Sequence, residues 1–271
     1  YHTILPFFVQ LLFFKQGLTE DEKNQLIASE PIAQKWVHLY VGADEFINNK
    51  NRYCLWLVNA APNELRACKE VLRRVEKVRE FRAASKAAAT RKYAETPTLF
   101  CQIAQPDSDY IIVPAVSSER RRYVPIGFMN KETIASNLVQ IIPNADLYHF
   151  AILTSNVHMA WMRAVCGRLK SDYRYSKDIV YNNFPWPNPT DQQKAKIEQT
   201  AQAILDARAL YPDASLADLY DETTMPPELR KAHQQNDKAV MVAYGFWGKL
   251  NSEPACVAEL MKMYQQLTEQ K

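Results

Sequence analysis

Three charged residues that alternate with other residues have side chains suited to reading base-pair edges. They are Lys170, Asp172 and Arg174. In an extended segment, residues two apart point to the same side, so we expect the three to form one edge. Lysine donates to guanine O6 and N7, and aspartate accepts from cytosine N4, so Lys170 and Asp172 together have the groups to read both members of a G·C pair. The alternative is a surface ion pair between them, worth roughly 0–1 kcal/mol.

A second group of residues has side chains suited to binding phosphate. Its members are Ser117, Ser118, Arg120, Arg121, Arg122, Arg168 and Lys177. Hydroxyl groups and arginines are common partners of nucleic-acid phosphates. The first five belong to one loop, and the last two flank the alternating residues. Three consecutive arginines also occur on ordinary protein surfaces, so the pattern alone leaves both interpretations open.

Positive charge is confined to the middle of the chain. The whole sequence carries 33 basic and 30 acidic side chains, a net charge of +3. Residues 66–187 carry 19 basic and 11 acidic side chains, net +8, whereas residues 1–65 have net −2 and residues 188–271 net −3. Localised positive charge of this kind is typical of a protein that binds a polyanion.

Hydrophobic patterning predicts an α+β fold that would position these residues. We expect a mixed-sheet recognition domain with helices over residues 1–187, followed by an all-helical subdomain over residues 188–271, where the composition becomes alanine- and glutamine-rich. Apolar runs predict strands over residues 53–58, 96–102, 110–116 and 138–142. Helical periodicity predicts long helices over residues 64–92 and 147–166, in addition to those of the C-terminal region.

Several classes of enzyme are not supported by the sequence. It contains no glycine-rich phosphate loop, no G-x-S-x-G nucleophile elbow and no H-E-x-x-H or paired-cysteine metal motif. The five scattered cysteines are typical of a reducing compartment, which predicts a cytoplasmic location. The apolar run from Ile4 to Phe14 is far shorter than the roughly 20 residues of a membrane span, so no membrane partner is expected. The chain also begins without Met, which predicts a fragment of a longer protein.

Asn183 belongs to a sequence that partly matches a catalytic motif. Asn183-Phe184-Pro185-Trp186 is similar to the Asn-Pro-Pro-aromatic motif with which amino-methyltransferases hold a flipped base. Phe184 stands where that motif requires a proline, and no glycine-rich loop for S-adenosylmethionine precedes it. We therefore expect Asn183 to stabilise a turn. The alternative is an intact enzyme that uses Asn183.

Three blocks of the sequence resemble the target-recognition region of MmeI-like fused restriction–modification enzymes of Type IIG/IIL. The blocks cover residues 46–57, 116–128 and 147–187, and the last contains Gly167-Arg168-Leu169, Tyr173-Arg174-Tyr175-Ser176 and Tyr181-Asn182-Asn183-Phe184-Pro185-Trp186-Pro187. Residues 216–233 resemble the C-terminal helical region of the same family. The N-terminal residues, including the run from Ile4 to Phe14, depart from the family pattern.

The resemblance implies a specificity fragment of a larger enzyme. In this family, one chain joins a nuclease, an S-adenosylmethionine-dependent adenine-N6 methyltransferase and the recognition region. The family's specificity positions fall on Lys170 and Asp172 for one base pair, and on Arg174 and Leu138 for a neighbouring one. The expected partners are double-stranded DNA and the parent methyltransferase domain. The fragment itself is expected to hold no cofactor and to transfer no methyl group. A nucleic-acid-binding module without sequence preference remains the alternative.

Overall fold

The structure, a computed structural model, describes residues 17–269 and divides them into two units. The N-terminal unit comprises residues 17–107 and 130–138, and the C-terminal unit comprises residues 108–129 and 139–269. The apolar segment from Ile4 to Phe14 lies outside the described residues.

A four-stranded mixed sheet organises the N-terminal unit. Its strands are β1 (Gly17–Leu18), β2 (Val37–Val41), β3 (Tyr53–Leu55) and β7 (Ile134–Ala135), in the order β1-β3-β2-β7, and only the β2–β7 pair is parallel. The helices are α1 (Glu20–Ser29), α2 (Ala43–Ile47), α3 (Pro62–Ala67), α4 (Lys69–Ala83) and α5 (Ala88–Lys92), with 3₁₀ segments at Pro31–Trp36 and Tyr93–Glu95. A core that includes Leu18, Leu26, Trp36 and Val71 joins the sheet to these helices.

The helix predicted over residues 64–92 is interrupted twice and forms α3, α4 and α5. Cys68 leaves helical geometry, with φ −102° and ψ 88°. The backbone N–H groups of Glu70 and Val71 then donate to the carboxylate of Glu30, at 2.7 and 3.1 Å. A carboxylate satisfies the free N–H groups at a helix start and is favoured by the helix dipole. Because this cap comes from 40 residues earlier in the chain, local periodicity does not reveal it.

Residues 96–102, predicted as a strand, form an irregular connection instead. The guanidinium of Arg82, which is 1% exposed, donates to the carbonyl oxygens of Tyr93, Thr96 and Leu99 at 3.0, 3.0 and 2.8 Å. Backbone groups that bind a buried arginine in this way do not pair in a sheet. The predicted strand over residues 53–58 is also shorter, since β3 ends at Leu55.

Two three-stranded antiparallel sheets lie in the C-terminal unit. In the first, β4 (Tyr110–Pro114) lies between β6 (Gly127–Met129) and β8 (Val139–Pro143). In the second, β10 (Asp172–Arg174) lies between β5 (Val116–Ser117) and β9 (Gly167–Leu169). All of β4 is buried, which agrees with its continuous apolar sequence.

The helix predicted over residues 147–166 is two helices, α6 (Leu147–Leu153) and α7 (Asn156–Val165). Ser155 separates them, because its hydroxyl donates to the carbonyl of Ile152 at 2.7 Å and accepts from the N–H of His158 at 3.3 Å. This is an ordinary serine N-cap. The helices that follow are α8 (Asp191–Ala209), α9 (Leu216–Leu219), α10 (Pro227–Ala243) and α11 (Glu253–Glu269).

The C-terminal helices share one hydrophobic core with β4, α6 and α7. Polar side chains connect the same elements: Asn236 Nδ2 donates to the carbonyl of Ala151 at 2.8 Å, and Arg208 Nη1 to the carbonyl of Ile126 at 2.7 Å. The expected α+β class, with mixed strands and an all-helical C-terminal region, is confirmed. The domain boundary at residue 187 stays a prediction, because both of its sides lie in the C-terminal unit.

Asp237 on α10 is a buried carboxylate that connects three parts of this unit. It accepts a hydrogen bond from the Tyr123 hydroxyl at 2.6 Å and another from the backbone N–H of Asn156, at the start of α7, at 2.7 Å. Its exposure is 6%. Burial raises the pKa of Asp237 from 3.8 to about 6, and the bonds from Tyr123 and Asn156 oppose the shift. At neutral pH, these two donors stabilise the buried negative charge, together with the positive charges of Arg122 and Arg163.

We expect Tyr123→Phe to lower the free energy of unfolding by roughly 2 kcal/mol at pH 8, and by less at pH 5. A carboxyl whose folded-state pKa is raised gives a stabilising contribution that is present below pH 3.8 and is lost as the pH rises through about 6. Removing one donor raises that pKa further, so the penalty grows with pH. Urea denaturation of both proteins at the two pH values measures it.

Tyr211→Phe is the matched control, because Tyr211 donates to the Glu228 carboxylate at 3.0 Å in an exposed pair. Its removal should change stability little at either pH. An equal penalty for Tyr123→Phe at pH 5 and pH 8 would show that Asp237 does not carry a buried charge.

Candidate nucleic-acid interface

A β-hairpin with a two-residue turn carries the residues predicted to read bases. Strands β9 and β10 pair in antiparallel register, with Leu169 opposite Asp172, so that Lys170 and Ser171 form the turn. Strand β10 also pairs with β5 and is therefore held on both sides. The tip of the hairpin is exposed at Lys170 and Ser171.

Lys170 does not lie in an extended segment, so the predicted alternation of three side chains is wrong at this residue. Its φ is 56°, in the left-handed region. That region costs a residue with a Cβ roughly 1–2 kcal/mol. A two-residue hairpin turn requires positive φ, which is why it normally contains glycine or asparagine. The Lys170-Ser171 turn lacks this sequence signal. Asp172 and Arg174 do alternate along β10 and share one face.

The opposite face of β10 rigidifies the hairpin. Tyr173, 8% exposed, lies across from Ser117 on β5 and Arg168 on β9. The Arg168 guanidinium lies 4.1 Å from the centre of the Tyr173 ring, and its Nη1 donates to the carbonyl of Ser171 at 2.8 Å. These contacts stabilise the turn from within the hairpin. A phosphate contact by Arg168 in addition to this role stays a prediction.

The arginine loop, residues 118–122, follows β5. A turn closes it, with Arg121 N–H donating to the Ser118 carbonyl at 3.1 Å and Arg120 N–H to the Ser118 hydroxyl at 3.3 Å. Arg120 and Arg122 are exposed, whereas Arg121 is half-buried. Three cationic side chains are therefore held on a short ordered loop.

Asp172 interacts electrostatically with the arginine loop. Burial lowers the pKa of the Arg121 guanidinium, and the negative charges of Asp172 and Asp221 oppose that shift. Among residues 17–269, no Lys170–Asp172 ion pair forms within 4.0 Å, so the alternative interpretation of these two residues as a surface pair is not supported.

Ser117 is poorly placed for the predicted phosphate contact. It is 3% exposed, and its hydroxyl has no hydrogen-bond partner within the described part of the chain. The cause is strand pairing, because Ser117 lies opposite the buried Tyr173. Ser118, one residue later, is half-buried, and its hydroxyl accepts from the Arg120 N–H.

The other two predicted residues lie elsewhere. Lys177 begins a π-helical turn and lies 3.8 Å from the carboxylate of Asp178. Leu138 is 39% exposed but belongs to the N-terminal unit, so its pairing with Arg174 stays a prediction.

Asn183 Nδ2 donates to the carbonyls of Asp178 and Ile179 at 2.9 and 3.3 Å, which supports the interpretation of Asn183 as a turn-stabilising residue.

A cleft beside the arginine loop was not predicted from the sequence. This arginine cleft has a volume of about 680 Å³, and residues from the loop, the hairpin and the C-terminal helical region line it. Its lining includes Arg120, Arg121, Arg122, Arg163, Tyr173 and Trp247. An exposed tryptophan between two glycines, in the sequence Gly245-Phe246-Trp247-Gly248, is the signal that points to it.

One bidentate ion pair lies in the lining of the arginine cleft. Arg163 on α7 donates from Nε and Nη2 to the two carboxylate oxygens of Glu253, both at 2.8 Å. Its Nη1 also donates to the carbonyl of Arg122 at 3.2 Å. Arg163 therefore joins α7, α11 and the arginine loop.

Neither a metal centre nor a membrane span is found in the part of the chain that the structure describes. Residues 17–269 contain no cluster of three or more histidine, cysteine or acidic residues placed to hold a metal ion. The helices within the same residues are too short or too polar to cross a membrane.

The structure is thus an α+β module in which a hairpin with an exposed lysine at its tip and an arginine loop adjoin a largely helical core. Family models give the particular family. The model for the MmeI target recognition domain matches residues 15–188, and the model for the MmeI C-terminal domain matches residues 189–270. The chain belongs to the MmeI family.

Two relatives show how the chain compares with larger proteins. It is 38% identical over 251 residues to DNA methyltransferase A of Bacillus subtilis (strain 168), a match covering 93% of this chain and 28% of the relative. A solved structure of the Type IIL restriction–modification enzyme MmeI in complex with DNA matches with 48% identity and a TM-score of 0.92, covering 99% of this chain and 35% of that one. The chain thus spans about a third of each relative.

The left-handed geometry of Lys170 can be tested through stability. Lys170→Gly should raise the free energy of unfolding by about 1 kcal/mol relative to Lys170→Ala, because glycine alone adopts positive φ without a steric penalty. Chemical denaturation of the two variants measures the difference. A more stable alanine variant would mean that the turn does not hold residue 170 at positive φ.

Proposed function

We propose that this chain recognises a specific double-stranded DNA sequence for a restriction–modification DNA methyltransferase that modifies adenine at N6. The observation that carries the proposal is the hairpin, which exposes Lys170 at its tip and Asp172 and Arg174 on one face, beside the arginine loop. A two-stranded ribbon fits the major groove of B-DNA. The MmeI–DNA complex, which the chain matches at a TM-score of 0.92, supports this assignment.

Each charged residue of the hairpin has a role in the proposal. Lys170 donates to guanine O6 and N7, Asp172 accepts from the amino group of the paired cytosine, and Arg174, with Leu138, reads a neighbouring base pair. Arg120, Arg121 and Arg122 hold the duplex by its phosphates and thereby set the register of the hairpin. Ser118, Arg168 and Lys177 contribute further backbone contacts.

The remaining chemistry belongs to the parent protein in this proposal. S-adenosylmethionine binds in the parent methyltransferase domain, and this recognition part contributes no residue to methyl transfer. Residues 1–187 act as the recognition domain and residues 188–271 as its helical subdomain. The five cysteines are free, which supports a cytoplasmic location.

Selection of bound duplexes from a random pool tests sequence recognition directly. We expect the wild-type chain to enrich one motif. The double variant Lys170→Ala/Asp172→Ala should lose its preference at one base pair of that motif, with affinity for the selected site about tenfold lower, since one bidentate base contact contributes roughly 1–3 kcal/mol.

Lys262→Ala/Glu259→Ala provides the matched control, because it removes one positive and one negative charge from a surface pair on α11. It should select the wild-type motif. If the hairpin variant also selects an unchanged motif, the assignment of Lys170 and Asp172 is wrong. If the wild-type chain binds all duplexes equally, it is instead a nucleic-acid-binding module without sequence preference.

A further inference from the structure

Trp247 is exposed although it lies on a hydrogen-bonded turn. Its exposure is 51%, whereas Trp36 and Trp161 are buried. The turn that carries it has positive φ at both flanking glycines, 69° at Gly245 and 75° at Gly248. Lys238 Nζ lies 5.1 Å from the centre of the Trp247 ring. Because Trp247 also lines the arginine cleft, its ring offers an apolar surface to a ligand bound there.

Backbone hydrogen bonds and one buried ring fix this turn at the end of α10. The N–H groups of Phe246 and Trp247 both donate to the carbonyl of Met241, at 2.8 and 3.2 Å. Phe246 is 7% exposed and stacks on Tyr244, with ring centres 5.1 Å apart. These contacts fix the backbone that carries the Trp247 indole.

Arg120 and Arg122, which line the arginine cleft together with Trp247, form no ion pair in the part of the chain that the structure describes. The three carboxylates of the cleft are already paired, Glu253 with Arg163 at 2.8 Å, Glu222 with Arg230 at 3.2 Å and Glu119 with Arg168 at 3.8 Å. Within residues 17–269, no carboxylate lies within 4.0 Å of the guanidinium groups of Arg120 or Arg122. An anion that enters the cleft thus meets two arginines without an ion-pair partner.

We propose that the arginine cleft binds one strand of the DNA backbone, with phosphate on Arg120 and Arg122 and a deoxyribose packed against Trp247. Guanidinium groups bind phosphate oxygens, and an indole offers a flat apolar surface to a sugar. A volume of about 680 Å³ accommodates a nucleotide unit. The cleft also contains Tyr173, and it is therefore continuous with the base of the hairpin.

This inference rests on the proposed function, and it extends the DNA interface into the C-terminal helical region. That region would then bind DNA as well as support the recognition sheets. Because a sugar and a phosphate carry no sequence information, the cleft contributes affinity without base preference. Substitutions in the cleft should therefore lower affinity for all duplexes equally, whereas substitutions in the hairpin should change the preferred sequence.

Trp247→Ala should weaken binding about fivefold to a duplex with the selected site, and equally to a duplex with that site scrambled. Trp247→Phe should restore most of the affinity, because a phenyl ring also packs against a sugar. Leu210→Ala is the control, since Leu210 is 64% exposed and lies outside the cleft. It should bind like wild type.

Arg122→Gln tests the phosphate contact by its salt dependence. The slope of log affinity against log salt concentration should become shallower by about 0.9, the value for one lost phosphate contact in B-DNA. Lys262→Gln removes the same charge from α11 and should leave the slope unchanged. Denaturation curves of both variants check that each remains folded.

Quenching of tryptophan fluorescence by iodide gives an independent readout. The emission that Trp247→Phe removes should be accessible to iodide in the free protein and protected when the scrambled duplex binds. Unchanged accessibility in a bound complex, or wild-type affinity of Trp247→Ala, would overturn the inference. Binding of neither duplex by the wild-type chain would overturn it together with the proposed function. Equal binding of both duplexes, with Trp247 protected, would support DNA binding in the cleft. It would contradict only the sequence recognition that the proposed function requires.

Discussion

The two hydrogen bonds accepted by the Asp237 carboxylate constrain the whole C-terminal unit. A buried charge is tolerated only when it is hydrogen-bonded, so α10 must keep both Tyr123 and the first N–H of α7 within reach. Tyr123 directly follows the arginine loop, and α7 leads into the hairpin. The position of α10 therefore constrains the position of the arginine loop and of the hairpin. The constraint is strong because Asp237 is only 6% exposed.

The hairpin combines local strain with strong support. Lys170 adopts positive φ where a glycine is usual, because the two-residue turn requires that geometry. The cation–π contact of Arg168 with Tyr173 stabilises this turn. A binding element benefits from such preorganisation, since ordering it during binding would cost conformational free energy. The arginine loop is likewise closed by its own hydrogen bonds. Together, these contacts order the charged groups before any partner binds.

Local sequence patterns predicted residue types better than they predicted geometry. The α+β class was evident from the patterning, as was the shared face of Asp172 and Arg174. The Lys170-Ser171 turn is not evident from the sequence because neither residue is the glycine or asparagine that positive φ normally requires. The burial of Ser117 is not evident because it depends on pairing with a distant strand. The capping of α4 by Glu30 was not predictable for the same reason, since a contact between residues 40 apart leaves no local pattern in the sequence.

The location of Trp247 beside the arginine loop was also not predictable from local sequence. Its flanking glycines mark a turn, yet its proximity to Arg120 and Arg122 arises only when α10, α11 and the arginine loop pack around one core. Charge counting assigned the interface to residues 66–187 and treated the acidic C-terminal region as a separate subdomain. Side-chain packing brings part of that region to the basic loop, which no count of charges along the chain reveals.

The central claim is that Lys170 and Asp172 read one base pair for the parent methyltransferase. Methylation mapping in cells that carry the full parent gene tests it most directly, comparing wild type with the exchange Lys170→Asp/Asp172→Lys. The account predicts a methylated motif that changes at one position and is otherwise the same. Continued methylation of an unchanged motif would contradict it.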